Sequence, residues 1–326
     1  MKSFFDYKTH ELKVNGVKLS VLLEGKGPLV ILLHGFPQCS FLWRHQIAPL
    51  VKSGYKVAIP DQRGYGKSDA PKNITEYTVT KLANDVAAIA KELKYEKFIV
   101  IGQDWGAPVA WYTALLHDKS CKAVMGMSVP SARPEEWSAW LNHPYSKSGF
   151  WYINYFQQLK IPELLIEAEL RKNLSKIYAA LSASTPRGTW LNQSNYSKSY
   201  GLTDVLPDSE VVSDWLTREE LDFYVTFFRK QGLRGPINWY RAISLNHSET
   251  KKFQGKRIIQ PAAFIAGADD DVLGYGGADN QWYDSMDSWF ADLRFKSLIA
   301  DAGHWLQCEK PEETTEAMLK FLAMVK

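Results

Sequence analysis

Cysteine is scarce in this chain of 326 residues: Cys39, Cys121 and Cys308 are odd in number and widely spaced. That excludes a disulfide framework and the paired spacing of a zinc site, and it fits a reducing, cytoplasmic setting. Charge of one sign is also in short supply. Lys and Arg number 39 against 36 Asp and Glu, a formal net charge of +3, with no basic run and no acidic tail. Nothing here suits a nucleic-acid backbone. No apolar run approaches the roughly 20 residues that span a bilayer, so no membrane insertion is expected, and Met1–Lys8 lacks the apolar stretch of a secretory signal. Internal repeats and low-complexity tracts are missing too. The remaining composition, 45% hydrophobic and 23% charged, is that of a globular chain with enough length for a large core or two domains. Aromatics run the other way. Twelve Trp and sixteen Tyr supply core packing and also suit apolar, ring-lined pockets.

Two apolar patches, Leu12–Val14 and Val17–Leu23, flank Asn15–Gly16 and predict a hairpin with a tight turn. Leu29–Leu33 is a continuous apolar run, as a strand buried on both faces has, and it ends at His34–Gly35–Phe36–Pro37. A helix is expected from about Trp43 to Val51, then a strand over Tyr55–Ile59 ending at Asp61–Gln62–Arg63–Gly64–Tyr65–Gly66–Lys67–Ser68. Leu82, Val86, Ile89, Ala90 and Leu93 share one face of a helix over Thr80–Leu93. Strands follow at Phe98–Ile101 and Cys121–Val129. Strand–helix–strand repetition implies an α/β fold with a mostly parallel central sheet flanked by helices.

From Pro130 to about Arg257 the pattern breaks. The segment is helix-like and rich in Trp and Tyr. Thr217–Arg218–Glu219–Glu220 is a capping box opening a helix through about Lys230 that Gly232 closes, and Arg234–Gly235–Pro236 opens another. The sheet pattern resumes at Ala262–Ala266, followed by Gly267–Ala268–Asp269–Asp270–Asp271. A last strand, Phe295–Ile299, runs into Asp301–Ala302–Gly303–His304–Trp305, and an amphipathic helix starts near Pro311. The expected organisation is a core domain of residues 1–130 and 258–326 with an inserted helical cap, residues 131–257.

The sharpest chemical signal is Gly102–Gln103–Asp104–Trp105–Gly106, between the strand Phe98–Ile101 and a helix of small residues, Ala107–Leu116. This is the strand–turn–helix setting of a nucleophile elbow, which needs small residues two before and two after the strained position. The usual occupant is Ser; here it is Asp104. A carboxylate is already ionised near pH 7. It can displace a leaving group from a saturated carbon and form an ester, whose hydrolysis then needs a base and an oxyanion hole. His304, in the turn after the last strand, is the candidate base. The other histidines, His10, His45, His117, His143 and His247, read as structural, with His34 set apart below. Asp269, Asp270 and Asp271 compete for the orienting acid.

The chain order nucleophile, acid, histidine is that of the α/β-hydrolase fold. With His34–Gly35–Phe36–Pro37 and Gly64–Tyr65–Gly66–Lys67–Ser68 in place, the sequence resembles the soluble epoxide hydrolases, bacterial and mammalian-type, over essentially its whole length. Two segments carry the likeness further. Phe150–Trp151–Tyr152–Ile153–Asn154–Tyr155–Phe156–Gln157 looks like the family's first tyrosine motif, with Tyr152 the matching residue and Tyr155 its close competitor. Arg234–Gly235–Pro236–Ile237–Asn238–Trp239–Tyr240–Arg241 looks like the second, with Tyr240 in place.

The resemblance implies a cofactor-independent enzyme that acts on a small apolar epoxide and water. It implies two phenols pointing from the cap at Asp104, still protonated at pH 7 and able to hold the epoxide oxygen. It selects Asp270 as the acid that orients His304, and it makes the backbone amides of Phe36 and Trp105 the oxyanion donors. It gives His34 a supporting role in that loop and puts His34, Pro37, Trp105, Tyr155 and Trp239 along the substrate. One departure stands out: Gln103 occupies a position where the family usually has His. Gln-Asp-Trp-Gly is a pattern of haloalkane dehalogenases of the same fold, which makes dehalogenation the alternative reading. Those enzymes usually carry a polar residue where Phe36 stands and do not need a tyrosine pair. Fluoroacetate dehalogenases share His-Gly-Phe-Pro but carry Arg where Trp105 stands. Asp104 itself argues against a serine esterase. A non-catalytic ligand-binding member of the fold is a third reading, which would be marked by loss of a triad residue or of the cap tyrosines.

Overall fold

The computed structural model describes residues 3–208, 214–276 and 281–325. Eight strands form one sheet: β1 (Thr9–Val14), β2 (Val17–Glu24), β3 (Leu29–Leu33), β4 (Lys56–Asp61), β5 (Phe98–Gln103), β6 (Cys121–Met127), β7 (Ile258–Gly267) and β8 (Phe290–Ile299). Their order across the sheet is β1-β2-β4-β3-β5-β6-β7-β8. The first two pairings are antiparallel and the rest parallel. Asn15 and Gly16 both take positive φ, 46° and 78°, as a two-residue hairpin between right-twisted strands requires. β3 and β5 are buried at every position, which explains their unbroken apolar sequences.

Register brings the chemistry together. Leu33 pairs with Gly102, Gln103 with Met127, Met127 with Ile265 and Gly267 with Ile299. The loops after β3, β5, β7 and β8 therefore leave the sheet at one level, at the carboxyl ends of parallel strands, where open α/β sheets build their sites. One apolar cluster fills the face shared with the helices Val79–Glu92 and Gly106–Leu116. A second lies under the C-terminal helix Pro311–Met324.

Between β6 and β7 the described residues form helices and turns without a strand. The helix Arg218–Gln231 has the expected capping box. Thr217 Oγ1 accepts from Glu220 N at 3.2 Å and Glu220 Oε2 accepts from Thr217 N at 2.9 Å, and Gly232 closes the helix at φ 76°. No helix among the described residues is long and apolar enough to cross a membrane.

Two local expectations are corrected. The single helix expected over Trp43–Val51 is a 3-10 turn, Ser40–Trp43, and a separate helix, Ile47–Lys52. A helix begun at Trp43 would hold Pro49 in its interior, where the ring forfeits a hydrogen bond; begun at Ile47, it holds Pro49 in its first turn, where none is lost. The break lets Arg44 bury its guanidinium against Glu220, 2.6 Å away. Strand β6 stops at Met127, short of Val129, because Ser128 turns into the left-handed region at φ 68°.

Candidate active site

Asp104 sits at the end of β5 with φ 51°, a left-handed conformation that a non-glycine residue adopts only when its surroundings enforce it. The neighbours enforce it by close approach. A Cβ on Gly102 would lie 1.9 Å from the Gly106 carbonyl oxygen, and one on Gly106 would lie 2.3 Å from that of Leu33. The elbow thus presents the Asp104 side chain, 15% exposed, above the sheet.

Phe36 N donates to Asp104 Oδ1 at 2.6 Å, from the loop after β3, whose Phe36–Pro37 peptide is cis. Gly35 permits this approach, because a Cβ there would lie 2.1 Å from the same oxygen. The Trp105 amide opens the following helix; among the described residues it makes no hydrogen bond to the carboxylate.

His304 Nε2 stands 3.5 Å from Asp104 Oδ2. Its Nδ1 faces both oxygens of Asp270, at 3.1 and 3.0 Å. Asp270, fully buried, also accepts from Val272 N at 3.0 Å. Of the three adjacent acids, Asp271 instead caps a separate loop, accepting from Gly188 N at 2.6 Å and Trp190 N at 2.8 Å, and it is Asp270, not Asp269, that pairs with His304. Burial alone would lower the His304 pKa, but the carboxylates of Asp270 and Asp104 outweigh it and push the value up to about 10. The unusual Gln103 is buried behind this pair. Its Nε2 donates to the His304 carbonyl at 3.0 Å, and Ser128 Oγ approaches the same oxygen at 3.4 Å. Gln103 thus braces the histidine turn and does not reach the cavity.

Opposite Asp104 stand Tyr152 and Tyr240, 8% and 3% exposed, with ring centroids 5.8 Å apart. Burial, with the negative Asp104 adding to it, raises both phenols above their ordinary value. They hold their protons throughout the neutral range. Tyr240 packs edge-on against Trp105, centroids 5.1 Å apart. The two tyrosine segments are laced together. Gln157 Nε2 donates to Tyr240 O at 3.0 Å, and Arg241 Nε donates to Phe156 O at 3.1 Å while its Nη1 meets Glu163 Oε1 at 2.6 Å.

Asp104, Trp105, Tyr152 and Tyr240 line one narrow cavity of about 30 Å³, roughly the share of one or two waters. Aromatic side chains must therefore shift to admit a substrate. Other expected contacts are not brought there. The Tyr155 ring packs on Phe150 and Phe156. Trp239 lies one position, about 100° of helix, from Tyr240 and donates to Arg63 O at 3.0 Å. Pro37 turns its carbonyl to the Tyr178 hydroxyl at 2.7 Å. His34 is wholly buried and burial lowers its pKa to about 4, so it is neutral. Its Nε2 accepts from Gln62 N at 3.0 Å and its Nδ1 donates to Gly35 O at 3.0 Å. Conversely, Trp140, Trp282 and Tyr275 line the cavity without belonging to any motif singled out in the sequence. Their only sequence signal is an excess of rings in segments with no other assignment.

The alpha/beta hydrolase fold family matches residues 28–311. Over 312 residues the chain is 36% identical to epoxide hydrolase A of Mycobacterium tuberculosis, covering 94% of this chain and 95% of that protein. It is 32% identical to rat bifunctional epoxide hydrolase 2 over 94% of its own length but spans only 54% of that protein. The crystal structure of epoxide hydrolase A from Mycobacterium thermoresistibile superposes with a TM-score of 0.89 at 36% identity, covering 98% of this chain and 99% of that one. Sheet order, elbow and extended sequence identity together make this chain a member of the α/β-hydrolase-fold family of epoxide hydrolases.

Proposed function

We propose that this protein hydrolyses epoxides to vicinal diols through a covalent ester on Asp104. The observation that carries the reading is one arrangement: an ionisable carboxylate on a strained elbow, a His–Asp pair on one side and two protonated phenols across an aromatic cavity. In the first step Asp104 Oδ2 attacks a ring carbon and the C–O bond of the strained ether breaks. Tyr152 and Tyr240 hold the departing oxygen and one of them supplies its proton. In the second step water gives a proton to His304 Nε2 and its oxygen adds to Asp104 Cγ. The oxyanion forms at Oδ1, where the Phe36 amide donates, with the Trp105 amide as the expected second donor. Collapse expels the alkoxide, which takes the proton of the new Asp104 carboxylic acid and leaves as the diol; the carboxylate is restored, and His304 keeps the proton it took from water.

The electrostatics order the two steps. With both carboxylates charged, His304 is an imidazolium and cannot act as a base. Esterification removes the Asp104 charge, and burial then pulls the His304 pKa back down. The imidazolium then passes its Nε2 proton to the tyrosinate left by ring opening, and the base becomes available once there is an ester to hydrolyse. On this reading residues 1–130 and 258–326 form the catalytic core and residues 131–257 a cap that supplies both phenols, and the ring-lined cavity favours apolar substrates.

The test is a paired turnover assay. Styrene oxide and a set of aryl and alkyl epoxides are offered alongside 1-bromobutane and 1,2-dibromoethane. Diol without halide is the expected result; halide without diol would replace this reading with dehalogenation by the same nucleophile. In parallel, His304→Gln incubated with epoxide should gain the mass of one substrate. Its absence, with ring opening intact, would refute the ester mechanism.

A further inference from the structure

Tyr275 lines the cavity beside Tyr152, their ring centroids 6.2 Å apart, and Trp190 packs 5.1 Å from Tyr152. The Trp190 indole N–H donates to the Tyr275 hydroxyl oxygen. Because an indole can only donate, the direction of this bond is fixed and it occupies a lone pair of Tyr275. The Tyr275 proton is left for another acceptor, and the neighbouring phenol on the cavity wall is Tyr152. Both ends of the chain are anchored. His143 Nε2 donates to Tyr275 O at 2.8 Å, and Asp271 accepts from Trp190 N at 2.8 Å, fixing the two loops against each other.

We propose that Tyr275 is a positioning residue for ring opening: the relay from Trp190 through Tyr275 to Tyr152 aims the Tyr152 proton at the substrate oxygen and stabilises the charge that develops on Tyr152 as that proton leaves. Tyr275 keeps its own proton throughout; the only proton transferred in the step is that of Tyr152. Donation to a phenol oxygen favours its charged form, and bonds in such a chain polarise one another. The proposal rests on the epoxide-opening reading.

The experiment is a double-variant cycle on the full chain with styrene oxide. Rapid quench measures ester formation and ester hydrolysis separately in wild type, Tyr275→Phe, Tyr152→Phe and the double variant. Tyr275→Phe should slow ester formation by roughly three- to tenfold, the worth of one hydrogen bond, and leave ester hydrolysis unchanged. In the Tyr152→Phe background the same substitution should have no further effect. Trp190→Phe should slow the same step in the same direction. Equal slowing of both steps, an undiminished effect in the Tyr152→Phe background, or no effect on ester formation would each overturn the relay. Failure of wild type itself to form an ester from any epoxide would overturn the functional reading and the relay with it, and the wild-type arm alone identifies that case.

Discussion

Replacing Asp270 by Asn preserves the size of the side chain and one of its contacts, since an amide oxygen can still accept from Val272 N. It changes what His304 meets. In the wild type Nδ1 faces two carboxylate oxygens at 3.1 and 3.0 Å, which demands a proton on Nδ1 and leaves Nε2 open. The Asn amide places N–H donors against Nδ1 and favours the other tautomer, with the proton on Nε2, where it cannot accept one from water. Loss of a hydrogen bond to a charged partner is worth about 1.5–3 kcal/mol, or roughly 10- to 150-fold in rate. The tautomer error extends this toward the ~10⁴-fold seen when an orienting Asp is neutralised in a triad. The loss should fall on one step. Ester formation uses Asp104 and the two phenols and should survive, so the Asp104 ester should accumulate. Rapid quench with intact-protein mass spectrometry reads both steps, and NMR of labelled histidine should find the His304 titration displaced downward from about 10. Hydrolysis at the wild-type rate, with His304 still titrating near its wild-type position, would refute the assignment of Asp270 and the electrostatic ordering built on it.

Gly35→Ala puts a methyl group 2.1 Å from Asp104 Oδ1; the carboxylate must move, and ester formation should fall by about 10²-fold, measured in single turnover. Arg241→Leu strands the buried Glu163 carboxylate and should cost about 3–5 kcal/mol of stability, read from denaturant unfolding. Trp239→Phe removes the bond to Arg63 O and should cost about 1–3 kcal/mol while leaving KM for epoxides unchanged; a raised KM would return Trp239 to the substrate contacts. His304 carries a raised folded pKa, from 6.5 to about 10, so its protonation contributes stability that is fully present below the unfolded value and is lost as pH rises through the folded one. The stability gap between wild type and His304→Gln, on the order of a few kcal/mol, should therefore be widest in mild acid and close by about pH 10, as followed by urea unfolding across that window.

The parts of this protein that were legible in its sequence are those where one local requirement admits few residues. The elbow needs Gly102 and Gly106 because backbone carbonyls lie where a Cβ would go; the hairpin needs positive φ twice and has Asn15–Gly16; the helix Arg218–Gln231 announces itself by a reciprocal cap. What was illegible depends on phase or on distant partners. Trp239 and Tyr240 are neighbours in one motif, and whether a ring meets Arg63 or the cavity turns on about 100° of helix rotation that no motif records. Tyr152 and Tyr155 pose the same problem in a helix of four residues, too short for a periodic pattern to set its phase. Tyr275 is harder still: its place beside Tyr152 is made by Trp190, His143 and Asp271, which belong to three separate segments. Gln103 shows the converse. Its identity was conspicuous and pointed toward another chemistry, yet its amide nitrogen donates to the His304 carbonyl and the side chain does not line the cavity. On the proposed reading, the atoms that tell ring opening from halide displacement in this fold are those lining the cavity beside Asp104, the Tyr152 and Tyr240 hydroxyls and the Trp105 indole, and not the residue that precedes the nucleophile.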